Sequence, residues 1–140
     1  MNSERGSAPI WFLGLAVCVL MVGALSAELW RIIGERQELV AVADAAAIAG
    51  AAAIDLEQYR ATGEAVIEPG DARARALAVI AGAAEGADLA GAPIIMVDEN
   101  GAWIRVELLR AVPFGLLRIL ALDDEVFMVT GQAVAYPDSP

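Results

Sequence analysis

The sequence predicts an α+β fold: a long N-terminal helix, half of it transmembrane, packed on a small three-stranded antiparallel sheet with one further helix. Three observations carry this reading. Gly6 to Ala27 is 22 residues without a charge, and at roughly 1.5 Å rise per residue that run crosses a hydrocarbon core of about 30 Å. No proline stands between Pro9 and Pro69, so nothing breaks a helix that leaves the membrane and continues into water. Past the Gly91-Ala92-Pro93 cluster the apolar period changes from helical to alternating.

The elements follow in order. Ser7, with Pro9 two residues later, fits a helix start, because a hydroxyl caps free amides and proline is tolerated in the first turn. Apolar residues then recur at Leu29, Ile32, Ile33, Val40, Ala43, Ala47, Gly50, Ala51 and Ile54. That is the i, i+3, i+4, i+7 spacing of one helix face, with Arg36 its charged exception. Arg31, Glu35, Glu38, Asp44 and Asp55 fall largely off the stripe. One helix from about Pro9 to Ile54 results. Residues 1–7 are a short leader, 8–27 the transmembrane segment and 28–140 an α+β domain.

Between Ala45 and Ala53 the helix is almost all small residues, which admit a close backbone neighbour, although alanine also favours helix on its own account. Ala43, Ala47, Gly50 and Ala51 are the candidate packing residues, and their partner is either the domain itself or a neighbouring subunit. Residues 56–70 read as a loop from Gly63, Pro69 and Gly70. Asp71 is placed to cap a second helix over about 72–84. Ile94 to Val97, a turn at Asp98-Glu99-Asn100-Gly101, and the alternation from Trp103 to Leu108 make a β-hairpin. Pro113 breaks the second strand, Phe114 to Leu122 reads as a short apolar helix or turn, and a last strand runs from Glu125 to Tyr136.

Composition restricts function. The net charge is -10, with no lysine and no histidine. All nine positive charges are therefore arginines, scattered without a patch, which makes nucleic acid a poor partner. The usual Schiff-base residue and the commonest general base and metal ligand are missing. No cofactor, metal set or catalytic constellation is expected. Asp98-Glu99 and Asp123-Asp124-Glu125 carry oxygen ligands suited to calcium, but they lack EF-hand spacing and read as solvated turns. Cys18, the single cysteine, lies inside the apolar run as a small hydrophobe.

Trp11 and Trp30 sit near the two ends of the run, where indoles favour the membrane interface, and Glu28 sits just past it, able to pair with Arg31 at i+3. Signal-peptide cleavage after Ser26 competes with an uncut anchor, but the run is long and its n-region is nearly neutral.

With these residues in view, the chain resembles the TadE/TadG-like proteins of the Tad (Flp) pilus and secretion machinery. The resemblance rests on Glu4-Arg5-Gly6-Ser7 before the run and on the alanine-rich, aspartate-containing stretch from Gln37 to Ala51. It implies a pilin-like, single-pass pseudopilin or minor pilus component in the cytoplasmic (inner) membrane. Its domain would be extracytoplasmic, and it would act by assembly with other pilin subunits or Tad proteins, in homo- or hetero-oligomers through the N-terminal helix. It also implies cleavage by a prepilin peptidase between Gly6 and Ser7. Gly6, Ser7 and Phe12 match that family's processing pattern, whereas the glutamate expected five residues after the glycine is replaced by Trp11, which favours a TadG-like or accessory member. The competing reading is a membrane-tethered extracytoplasmic binding module unrelated to a filament. A protein released after Ser26 is the minor one.

Overall fold

A computed structural model describes residues 7–113, 115 and 126–137. Helix α1 (Ser7–Ala51) is followed by α2 (Leu56–Thr62), α3 (Pro69–Gly82) and a 3-10 turn (Ala84–Asp88), then strands β1 (Ile94–Val97), β2 (Ile104–Pro113) and β3 (Val126–Ala135). The strands form one antiparallel sheet in the order β1-β2-β3. The second half of α1 packs on β2 and β3, and α3 packs beside it against α1 and β1. This is the expected two-layer α+β arrangement, one apolar sheet face covered by helices.

The α1 stripe differs from expectation in phase. The buried positions are Leu39, Ala43, Ala46, Ala47 and Ala51, with Ile32 and Val42 partly buried against them, while Leu29 and Ile33 stay exposed. The face is turned toward Leu39 and Ala46, while the stripe residues Ala43, Ala47, Gly50 and Ala51 remain in it. Glu35 therefore lies at its edge, and Arg36 points to solvent. The rotation is set by the sheet, whose own apolar face the helix must meet.

Residues 56–62 are helical rather than loop. Asp55 caps them, its carboxylate accepting from the Glu57 and Gln58 amides at 2.9 and 3.0 Å, and Gly63 closes the helix at φ 77°. The third helix starts earlier than Asp71. Glu68 is its N-cap, Pro69 takes the first-turn position that suits proline, and Asp71 instead pairs with Arg75 at 2.7 Å.

The hairpin turn forms where expected. Gly101 adopts φ 67°, its amide donates to the Asp98 carbonyl at 2.9 Å, and the Asp98 carboxylate accepts from Asn100. Strand β2 runs on past Leu108 and ends at Pro113. Its inner residues Ile104, Val106 and Leu108 join Leu39 and Ile67 as the largest fully buried side chains. Leader residues 1–6, the apolar stretch Phe114–Leu122 apart from Gly115, and the acidic turn at Asp123-Asp124 lie outside the described residues.

Candidate assembly helix and its membrane-proximal clamp

Helix α1 has 45 residues, about 68 Å at roughly 1.5 Å each, and its two halves have opposite surroundings. None of the residues in its most apolar stretch is buried, and it is long and apolar enough to cross a membrane. Trp11 and Trp30, at the two ends of the uncharged run, are 78% and 74% exposed, so neither packs on the domain. Cys18 is exposed on the same segment.

The candidate packing residues sit in the other half. Ala43 and Ala47 are fully buried, Ala51 nearly so, and Gly50 is buried beneath Ile104 and the Ala72 carbonyl. Their neighbours are this chain's own sheet and α3, whose Ala72, Ala76 and Ile80 face inward at i, i+4, i+8. The close approach extends to β3. A Cβ on Gly131 would stand 2.7 Å from the carbonyl carbon of Leu39, so strand backbone lies directly against helix backbone. Gly131 has no distinctive sequence context, and only its place opposite Leu108 in the strand register reveals its role.

Where α1 leaves the uncharged run, a group of polar contacts ties it to the end of β2. Glu28 accepts from Arg31 at 2.5 Å and from the Gly115 amide at 2.9 Å, and Arg31 donates to the Pro113 carbonyl at 2.6 Å. One turn on, Glu35 pairs at 2.8 Å with Arg110, which is only 7% exposed on the inner face of β2. The Arg31 hydrogen bond and then the Gly115 amide hold the Glu28 carboxyl below its ordinary value. The reciprocal bond holds Arg31 above its own. The Glu28–Arg31 pair expected at i+3 thus forms, and it also fixes the sheet to the helix. Arg110 breaks the alternation of β2, and its partner was unreadable while Glu35 was placed off the stripe.

Among the described residues no group of three or more acidic or cysteine side chains is placed to hold a metal ion. A shallow apolar groove of about 560 Å³ lies at the opposite end of the domain, between Ile48, Ala52 and Ile54 on one side and Ala135 and Tyr136 on the other.

Taken together, the architecture is that of a small α+β domain carried on a helix whose first half is apolar and exposed. Residues 6–53 match the family model Tad, described as "Putative Flp pilus-assembly TadE/G-like", so over its long helix the chain is TadE/G-like. Neither a curated protein nor a solved structure matches it.

Proposed function

We propose that the chain is a structural, membrane-anchored component of a Tad/Flp-type pilus or secretion apparatus, pseudopilin-like or a minor pilus subunit, which acts by helix-mediated assembly. Residues 8–27 span the inner membrane once, and the α+β domain lies outside the cytoplasm. The observation that carries this reading is the division of α1. The family match falls on this helix, and the domain consumes its small-residue half, so the bare half is what remains for neighbouring subunits. Assembly through Ala43, Ala47, Gly50 and Ala51 would require opening the domain core. Those residues act by fixing the helix to its own sheet.

The test exchanges residues 8–27 for an unrelated transmembrane helix of equal length. Retained membrane insertion with lost cross-linking to Tad proteins is the expected result. Full function after the exchange would instead favour the tethered binding module, for which the groove beside Tyr136 is the available concave surface. Intact-mass measurement of the mature protein separates an uncut chain from cleavage between Gly6 and Ser7 and from cleavage after Ser26.

A further inference from the structure

We propose that the outer face of the sheet docks a second copy of this chain, which lays the outer side of its α3 there so that Arg105 meets Asp71 of the second copy and Glu107 meets its Arg75. The described helices cover one side of the sheet. Ile95, Val97, Ile104, Val106 and Leu108 turn toward that core, so by strand alternation Ile94, Met96, Arg105 and Glu107 turn away from it. Ile94 lies opposite Glu107, and Met96 and Val134 flank Arg105. These three apolar side chains are 44%, 39% and 37% exposed, which marks a contact surface.

The charges say what fits it. Among the described residues neither Arg105 nor Glu107 is in an ion pair. The Arg105 guanidinium lies over the Trp103 ring at 5.3 Å, and its Nε is buried without a hydrogen-bond partner. A cation and an anion roughly 7 Å apart along the strand are thus presented in an apolar frame. Helix α3 carries the complement. Its inner residues are Ala72, Ala76 and Ile80, and outside them the exposed Ala74 and Ala78 lie between Leu77 and the Asp71–Arg75 pair. Asp71 and Arg75 are about 6 Å apart along the helix axis. Their own ion pair is half exposed, so sharing it with a second pair costs little.

Direction and level agree as well. Both β2 and α3 start at Gly50, where Ile104 and the Ala72 carbonyl meet, and both run toward Glu35, where Leu89 bridges Arg110. Arg105 therefore precedes Glu107 in the direction in which Asp71 precedes Arg75. With Ile104 and Ala72 at one level, Arg105 lies about 5 Å past Asp71 and Glu107 about 5 Å past Arg75, at roughly 3.3 and 1.5 Å per residue. One shift of about 5 Å between copies aligns both pairs at once. The two copies then point the same way, as chains held in one membrane must; for this polarity the proposal rests on the anchored reading above. A two-fold axis along the membrane normal would lay sheet on sheet and set Arg105 against Arg105. The staggered contact is heterologous and does not close on itself.

The test uses the purified full chain in a C18S background, reconstituted in phosphatidylcholine vesicles as two differently tagged forms, M96C and A74C, and treated with a short bismaleimide. The mixture should give a cross-linked product that neither form gives alone. R105E in the M96C form sets like charges together and should cut the yield at least about fivefold, and D71R in the A74C form should restore it. That restoration also establishes that the R105E chain is folded. Product from M96C alone, or a yield unmoved by R105E, overturns the proposal. No product from a mixture that resists alkaline extraction from the vesicles also overturns it and leaves the anchored reading standing. Release of the chain by alkaline extraction overturns both.

Discussion

Gly131→Ala adds one methyl group where β3 touches α1, and the contact cannot yield by a rotamer change because the atoms facing it are the Leu39 carbonyl carbon and oxygen, 2.7 and 2.8 Å from the new Cβ. Ordinary contact begins near 3.4 Å, so helix and sheet must part by about 0.7 Å. A gap of that size forfeits a quarter to a half of the dispersion attraction between the layers, and overpacking of this kind costs about 1–3 kcal/mol. Against it stands the backbone-entropy gain of replacing a strand glycine, roughly 0.5–1 kcal/mol. The midpoints of these ranges leave a net loss of about 1 kcal/mol.

Gly34→Ala supplies the control. Nothing lies within 4 Å of its Cβ position, and the residue is in mid-helix, so the same substitution should stabilise by about 0.5–1 kcal/mol. Thermal unfolding of the full chain in micelles, followed by circular dichroism, should lower the midpoint for Gly131→Ala and raise it for Gly34→Ala, by about 4–8 °C per kcal/mol. A Gly131→Ala protein as stable as the parent would refute a backbone-to-backbone seat for α1 on β3.

Three further expectations follow from the same contacts. Glu35→Leu removes a carboxylate that pairs with the buried Arg110 and should destabilise by about 1–3 kcal/mol, while Glu35→Leu with Arg110→Met should recover part of the loss, both read from urea unfolding. Glu28 has a folded pKa below its ordinary 4.5, so its stabilising contribution is complete above that value and disappears as pH falls through the depressed one. A stability profile between pH 7 and 3 should therefore lose part of its acid slope in Glu28→Gln, and identical slopes would remove the clamp from the account. Asp55→Ala deletes the α2 cap at about 1 kcal/mol. Because α2 buries no residue, faster amide exchange at Glu57 and Gln58 should appear without a matching change in the global midpoint.

The long helix and the hairpin were legible because each shows its period over many residues. The uncharged run needs no partner to be read, and Asp98 to Gly101 is a turn signal whose glycine takes the positive φ that a side chain resists. The α2 helix was hidden behind Gly63 and Pro69, although Asp55 followed three residues later by Gln58 is itself a helix-start signature. The onset of α3 was displaced because Asp71 is the better cap by type, whereas Pro69 fixes the first turn and leaves Glu68 to do the capping.

The phase of α1 was harder to read for a physical reason. In a helix where alanine occupies most positions, several adjacent faces are nearly equal in apolar content, so burial is decided by the partner. That partner is β2, whose inner row ends in Arg110. A buried arginine requires a carboxylate, and a helix rotated to bring Glu35 inward supplies one. The same rotation brings Leu39 over Gly131 and turns Arg36 outward, while Ala43 and Ala47 stay in the core. The ion pair and the glycine seat thus select one rotation from several that hydrophobicity alone permits. That rotation seats the small-residue stretch within the domain and leaves the first half of α1 exposed.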